Sequence, residues 1–266
     1  MRDEARRVRL MRCDFASTLV VMRLSGTTKS VSEDERAPAG TISEGLPRGV
    51  EVTIALLGLA VTAPLLIIAA LSVAASSPGP ILFRQQRVGR RGRPFTLYKF
   101  RTMRVAQGGL QVTARDDARV TAVGRLLRLM KLDEWPELWN VAKGDMSLVG
   151  PRPEVPRYVK PDDPLWQQVF LVRPGITDPI AVHLRNEEEL MSRVEGDRER
   201  FYEETLLRYK LLGNLAYLKR RTWRSDIVIL FQTIAVVTFP GTAPAPSLQE
   251  ITDFMKEKQD AEAASS

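Results

Sequence analysis

Two adjacent carboxylates, Asp133 and Glu134, stand immediately before a Trp-Pro pair, and a proline-flanked arginine, Arg152, follows a Gly-Asp-Met-Ser turn. Neighbouring carboxylates can divide the work of attacking phosphorus and holding a divalent cation. An arginine can grip phosphate oxygens through a bidentate fork, and the prolines limit the freedom that its loop would lose on binding. The stretch therefore predicts metal-assisted phosphoryl transfer. The alternative is a solvated acidic pair at a helix N-terminus.

Further basic residues lie elsewhere in the chain. Lys99 and Arg101 are two positions apart, so an extended strand would place them on one face, where they could bind an anion. The alternative is a basic face in solvent. Arg128 shortly precedes the acid pair and adds a second arginine to the predicted site.

The composition excludes several classes of chemistry. Lys and Arg number 39 against 32 Asp and Glu, a formal charge of +7, which favours an anionic partner. Cys13 is the only cysteine and His183 the only histidine, so a disulfide framework and a multi-histidine metal site are excluded. We expect His183 to be a solvated or core-edge residue. No nucleic-acid motif is recognisable, and we expect no nucleic-acid partner.

An uncharged apolar segment covers residues 52–75. A straight helix of this length reaches roughly 36 Å, enough to cross a bilayer core. Pro64 near its middle removes a backbone hydrogen bond, and basic residues flank both sides, at Arg48 and within residues 84–93. A crossing helix should have its basic flank on one side only. The segment therefore predicts either a re-entrant hairpin or a single-pass helix with a tolerated proline.

Shorter elements are expected after this segment. Residues 81–87 and 94–103 are predicted to be extended around a Gly-Arg-Arg-Gly turn, and residues 118–130 and 134–142 to be helical. Residues 151–180 are rich in proline and are predicted to be irregular.

The C-terminal part is amphipathic. Basic residues and Trp223 accompany a stripe formed by Leu207, Leu211, Leu215 and Leu218. This combination is typical of a helix in the membrane interface, and the alternative is a helix that faces the core.

At this level of detail the residues match a known family. Residues 77–103 (SPGPILFRQQRVGRRGRPFTLYKFRTM) and 131–154 (KLDEWPELWNVAKGDMSLVGPRPE) closely resemble the bacterial sugar transferases. These are small monotopic phosphoglycosyl transferases, and the resemblance covers roughly residues 48–237. Its departures, such as Arg48-Gly-Val-Glu51 before the membrane segment, leave the acid pair untouched.

The resemblance implies a reaction. Sugar-1-phosphate would pass from a UDP-sugar to polyprenyl phosphate, with release of UMP, as the first step of exopolysaccharide, O-antigen or capsule assembly. Asp133 matches the family's nucleophile and Glu134 its partner, and Mg²⁺ is the cofactor, for which both are the expected ligands. The matching substrate-binding and phosphate-binding residues are Lys99, Arg101, Arg128 and Arg152. Neither the sugar nor the oligomeric state follows from these motifs.

The resemblance also implies an architecture. We expect an α+β, mainly helical protein with a re-entrant membrane hairpin broken at Pro64, a small cytoplasmic catalytic domain and interfacial amphipathic helices. The protein would be monotopic: it would enter only the cytoplasmic leaflet of the inner membrane, from the cytoplasmic face. The expected division is a disordered extension (1–47), the membrane-dipping hairpin (48–76), the catalytic domain (77–240) and a disordered tail (241–266).

Two rival functions use the same residues. A membrane-associated, Mg²⁺-dependent phosphohydrolase of nucleotide sugars would replace the lipid phosphate with water. A non-catalytic membrane module would recruit assembly partners through its basic surface and would not need Asp133.

Overall fold

The computed structural model describes residues 43–104, 117–239 and 245–264. Most of the predicted N-terminal extension, residues 1–42, therefore lies outside the described residues. The helices are α1 (Arg48–Ser76), α2 (Ala122–Leu129), α3 (Glu137–Lys143), α4 (Pro164–Val169), α5 (Pro179–His183), α6 (Glu187–Ser192), α7 (Arg198–Phe201), α8 (Leu207–Leu218), α9 (Trp223–Thr238) and α10 (Leu248–Ala264). The strands are β1 (Leu82–Val88), β2 (Pro94–Phe100), β3 (Ser147–Val149) and β4 (Gly175–Thr177). The chain is thus mainly helical with few strands, as predicted.

Helix α1 is long and apolar enough to cross a membrane, and little of it is buried against the rest of the protein. Pro64 lies inside the helix and the chain stays helical on both sides of it, because one missing hydrogen bond does not unwind its neighbours. The structure shows one helix here and does not show the predicted hairpin.

Both ends of α1 contact the globular part of the protein. Near its N-terminus, the Glu51 carboxylate accepts a hydrogen bond from the Leu148 backbone nitrogen at 3.0 Å. At its C-terminus, the Ser77 carbonyl accepts one from the Arg101 guanidinium at 2.6 Å. Between them, residues 56–68 include no buried side chain. The helix is therefore anchored at both ends and exposes its apolar middle.

Strands β1 and β2 form a β-hairpin at the two segments predicted to be extended, with Leu82 opposite Phe100 and Val88 opposite Pro94. The turn contains Arg91 and Gly92, both with positive φ, a conformation that glycine adopts without strain.

Strands β3 and β4 are parallel, with Ser147 opposite Gly175 and Val149 opposite Thr177. A Cβ atom at Gly175 would overlap the backbone nitrogen of Gly150, so only glycine allows this approach. The expectation of an irregular 151–180 segment is therefore wrong, since strand β4 and two short helices begin there. Sequence periodicity misses elements this short.

The leucine stripe of α8 is buried: Leu207, Leu211, Leu215 and Leu218 belong to the largest hydrophobic cluster. For α8 the core-facing alternative is therefore the right one, because helices on several sides cover it.

The predicted disordered tail is wrong over residues 248–264, which form helix α10. Ile251 and Met255 of this helix are buried in the same cluster, and the Phe254 and Tyr209 rings are nearly perpendicular, with centroids 5.4 Å apart. Burial of these apolar side chains stabilises α10 against the core, although most of its residues are polar.

Candidate active site

The acid pair lies in a short turn of 3-10 helix, Leu132–Glu134, between α2 and α3. Lys131 precedes it with a φ of 55°, a left-handed conformation that reverses the chain direction. Leu132 packs into the cluster beneath, and Asp133 is only 9% exposed. The turn therefore presents the two carboxylates from a packed base rather than from a solvated helix end.

Two cations contact Glu134. The Arg152 guanidinium contacts both of its carboxylate oxygens, at 2.7 and 3.1 Å, and the Lys99 ammonium lies 3.0 Å from one of them. The structure therefore brings together four of the six predicted site residues: Lys99, Asp133, Glu134 and Arg152.

Glu137 is a third carboxylate of the site, and sequence reasoning did not identify it. It lies 3.1 Å from the Lys99 ammonium and 4.0 Å from Arg152, and it is 1% exposed. Its spacing of three from Glu134 was a usable signal, since residues three apart in a helical turn share a face.

Asn140 holds this group together. It is fully buried on α3, its amide nitrogen donates to the Thr96 carbonyl at 2.7 Å, and its amide oxygen accepts from the Tyr98 backbone nitrogen at 3.2 Å. These bonds attach α3 to strand β2 beside Lys99, so they fix the ammonium relative to the carboxylates.

Arg152 is positioned by the parallel strands. Arg152 follows β3, and Asp178 follows β4. Because the carboxyl ends of parallel strands lie at the same edge, the two residues are close together. The Asp178 carboxylate accepts from the backbone nitrogens of Arg152 at 3.2 Å and Ala181 at 2.7 Å. The Arg152 guanidinium also donates to the Ile176 carbonyl at 3.0 Å. Asp178 was not predicted, although an Asp before Pro179 is a helix N-cap signal.

The surroundings push the pKa values of the acid pair apart. Burial, reinforced by the charge of Glu134, raises the pKa of Asp133. Burial alone would also raise the pKa of Glu134, but the charges of Arg152 and Lys99 hold it well below its usual range. Glu134 is therefore the fixed anion of the pair, and Asp133 is the more basic carboxylate, which suits a nucleophile.

Arg101 and Arg128 have other partners. Arg101 is buried and donates to the carbonyls of Val73 at 3.3 Å and Ser77 at 2.6 Å, at the end of α1. Arg128 bonds the Thr102 hydroxyl at 2.9 Å and the Glu188 carboxylate at 3.0 Å. The structure does not place either arginine on the acid pair.

All six predicted residues nevertheless line one cleft of about 1910 Å³. His183 is 8% exposed, which agrees with a core-edge residue. Small-molecule sites typically measure roughly 300–1,000 Å³, so this cleft has room for more than one such ligand.

The carboxylates of the site offer few open ligands for a metal ion. Among the described residues, no group of three or more His, Cys, Asp or Glu side chains is arranged to hold one. One oxygen of Asp133, Oδ1, is buried without a hydrogen-bond partner there, whereas both oxygens of Glu134 contact Arg152. Mg²⁺ typically takes one or two carboxylates and completes its shell with phosphates and water. The residues fit such an ion, with Asp133 as the open ligand.

Comparison with known proteins gives a consistent result. The family model described as bacterial sugar transferase matches residues 42–240. The chain is 34% identical over 200 residues to the UDP-N-acetylgalactosamine-undecaprenyl-phosphate N-acetylgalactosaminephosphotransferase of Aeromonas hydrophila, covering 72% of this chain and 43% of that protein. It is 35% identical over 224 residues to the UDP-glucose:undecaprenyl-phosphate glucose-1-phosphate transferase of Caulobacter vibrioides, covering 82% of this chain and 76% of that one.

A third relative is the undecaprenyl-phosphate galactose phosphotransferase of Salmonella typhimurium, 34% identical over 73% of this chain and 41% of that protein. The chain thus spans less than half the length of two of these three relatives. Their names specify three different sugars on one lipid carrier.

Proposed function

The chain belongs to the bacterial sugar transferase family, and from that premise we propose that it transfers sugar-1-phosphate from a UDP-sugar to undecaprenyl or a similar polyprenyl phosphate. UMP is released, and the lipid-linked product starts exopolysaccharide, O-antigen or capsule assembly. The observation that carries the proposal is the divided acid pair, with Asp133 open and Glu134 fixed by Arg152 and Lys99 inside the cleft.

The first step is attack by Asp133. Its free carboxylate oxygen forms a bond to the β-phosphorus of the UDP-sugar, and the bond from that phosphorus to the bridging oxygen breaks, so that UMP leaves with the electron pair. The buried setting of Asp133 leaves its attacking oxygen poorly solvated, which increases its reactivity toward a phosphorus centre. The product is a phosphosugar joined to Asp133 as an acyl phosphate.

The second step returns the enzyme to its starting state. A phosphate oxygen of the polyprenyl phosphate attacks the same phosphorus, the bond to Asp133 breaks, and the carboxylate is regenerated. Arg152 and Lys99 offset the negative charge that two phosphates bring to the carboxylates, and Glu134 keeps both cations in place between turnovers. Mg²⁺ would be held by Asp133, beside the Glu134 carboxylate that Arg152 occupies, and would supply further charge neutralisation at the phosphates.

The anchoring of α1 supports the re-entrant architecture. A straight helix would separate Glu51 from Ser77 by roughly 39 Å, more than the roughly 30 Å thickness of a bilayer core. A crossing helix would then leave its two ends on opposite sides of the membrane. Both ends are instead bonded to the globular part, which favours a helix that bends at Pro64 and returns to the cytoplasmic face.

Helix α9 supports an interfacial attachment. Its apolar side chains Val228, Phe231 and Ile234 are exposed, as is Trp223 at its start. Exposed apolar residues beside basic ones suit the boundary of an anionic membrane, where the lipid phosphate lies. We therefore place the protein at the inner membrane, entered from its cytoplasmic face.

The experiment is UMP release from a panel of UDP-sugars by the full chain in nanodiscs, with Mg²⁺ and polyprenyl phosphate, beside Asp133→Asn. The proposal expects release that needs the lipid, the metal and Asp133, together with a lipid-linked sugar product. Hydrolysis of UDP-sugar without a lipid product would favour the phosphohydrolase. A folded protein that is inactive on the whole panel would favour the non-catalytic module.

A further inference from the structure

A second polar wall of the cleft takes no part in the chemistry described above. It is formed by Asn186 and Glu187 at the start of α6 and by Lys210 and Asn214 on α8. The Lys210 ammonium lies 2.6 Å from the Glu187 carboxylate, and Lys210 and Asn214 are four residues apart, on one face of α8. This ion pair joins the start of α6, next to Asn186, to the helix α8 that carries Asn214.

Both asparagines have unused hydrogen-bonding capacity. Asn214 is 6% exposed, and its Oδ1 atom is buried with no hydrogen-bond partner among the described residues. The Oδ1 atom of Asn186 is also buried without a partner there. An enclosed polar atom without a partner destabilises a fold, so two on one cleft wall indicate a ligand that supplies the missing bonds.

The wall is linked to the reaction centre. Glu188, two residues after Asn186, accepts a hydrogen bond from Arg128 at 3.0 Å, and Arg128 belongs to the helix just before Asp133. The two asparagines therefore belong to the same cleft as the acid pair, on the side where α6 approaches α2.

The chemistry of the wall suits a neutral ligand. Glu187 and Lys210 neutralise each other, and the remaining groups are carboxamides, which both donate and accept. Arg152 and Lys99 line the same cleft beside the acid pair, and under the proposed function these two cations take the phosphates. The part of a UDP-sugar that carries many neutral donors and acceptors is the hexose, with its hydroxyl or acetamido groups.

We propose that Asn186 and Asn214 form the sugar subsite and determine which UDP-sugar the enzyme accepts. The inference rests on the proposed function and adds the residues that recognise the hexose. The relatives named for three different sugars make such a determinant necessary within a shared reaction. A site that hydrogen-bonds a hydroxyl discriminates against an analogue that lacks it or inverts it, because its own polar groups are then left unpaired.

The test uses the full chain in nanodiscs with Mg²⁺ and polyprenyl phosphate. UMP release is measured with UDP-glucose, UDP-galactose and their N-acetylamino counterparts, for wild type, Asn214→Ala, Asn214→Ser and Asn186→Ala. Inhibition by UMP and the melting temperature are measured for each variant. The exposed carboxamide Gln168 supplies the matched control, Gln168→Ala.

We expect each asparagine variant to lose roughly 10-fold or more in kcat/KM for the preferred sugar, the effect of about one hydrogen bond. The ratio between that sugar and its C4 epimer should shrink, while inhibition by UMP stays within about 2-fold of wild type. Gln168→Ala should change none of these values. If Asn214→Ala has a lowered melting temperature, Asn214→Ser and Asn186→Ala still test whether the asparagines recognise the sugar.

Three results would overturn the inference. A uniform fall for all sugars with an unchanged ratio would make the asparagines structural. Weaker inhibition by UMP with unchanged sugar preference would assign them to the nucleotide. If the wild type is active and no variant alters the ratio between the preferred sugar and its C4 epimer, the subsite is refuted and the proposed function stays intact. If the wild type releases no UMP from any sugar, the proposed function itself is refuted.

Discussion

Arg152 contacts Glu134 through both terminal nitrogens of its guanidinium, at 2.7 and 3.1 Å. This contact joins the loop after β3 to the turn between α2 and α3, two segments that are separated in the sequence and adjacent in the cleft. The geometry needs a planar fork, since a lysine could reach only one oxygen at a time. Glu134 thereby holds the Arg152 guanidinium in the cleft, where the proposed reaction would use it to bind phosphate.

Replacing Arg152 by lysine should keep the charge and lose the fork. We expect Arg152→Lys to lower kcat/KM for UMP release on the order of 100-fold, because one of the preorganised donors to the transferring phosphate is lost. The matched control is Arg157→Lys, since Arg157 is an exposed arginine paired with Glu199. Equal activity of both variants would show that the fork is not needed.

The close approach of β3 and β4 should be intolerant of a methyl group. Gly175→Ala would push the strands apart and displace Arg152 and Asp178 together, so we expect a loss of roughly 3 kcal/mol or more in the free energy of unfolding. Gly49→Ala is the control, since a Cβ atom at Gly49 meets nothing within 4 Å. Chemical denaturation in detergent compares the two, and a Gly175→Ala protein as stable as the control would contradict the packing.

Protonation of the single histidine, His183, should make the stability of the fold depend on pH. Burial lowers the pKa of His183, opposed by the charge of Glu250 and assisted by that of Arg185. The unfolded chain therefore binds a proton more readily than the folded protein, and stability should fall as the pH drops below about 6.5, the ordinary value. We expect thermal unfolding between pH 5 and 8 to show this fall in wild type and a flatter profile in His183→Gln. Parallel profiles would mean that His183 is solvated.

Topology is tested at the two ends of α1. In a Cys13→Ser background, single cysteines at Glu44 and Pro80 report the sides on which the ends lie. We expect a membrane-impermeant thiol reagent to label both positions in inside-out vesicles and neither in intact spheroplasts, because both ends contact the globular part, which we propose lies on the cytoplasmic side. Labelling on opposite sides would establish a crossing helix.

Much of the site could be predicted from the sequence because its residues lie in two compact motifs. Asp133, Glu134 and Arg152 combine residue types that phosphoryl transfer requires, and the hairpin that carries Lys99 has a clear turn signal. Glu137 and Asp178 were missed for different reasons. Glu137 resembles an ordinary first-turn acid, and Asp178 depends on a strand of three residues that has no periodicity to detect.

Other errors came from tertiary packing. The leucines of α8 have the spacing of an interfacial helix and also of a core helix, and only the surrounding helices decide between them. Helix α10 has a polar composition, and its few apolar residues become informative only when Ile251 and Met255 are seen buried. Arg101 bonds backbone carbonyls, and Arg128 bonds the Thr102 hydroxyl and the Glu188 carboxylate, contacts that no local pattern reveals. Their roles as phosphate-binding residues stay predictions.

The most direct test of the account is the mass of the intact protein after mixing with its UDP-sugar and Mg²⁺ in the absence of polyprenyl phosphate. We predict a gain equal to one sugar phosphate, a stoichiometric burst of UMP, a modified peptide that contains Asp133, and no adduct in Asp133→Asn. Adding polyprenyl phosphate should remove the adduct and yield lipid-linked sugar. An adduct on another residue, or UMP release that requires both substrates at once with no adduct, would contradict Asp133 as the nucleophile.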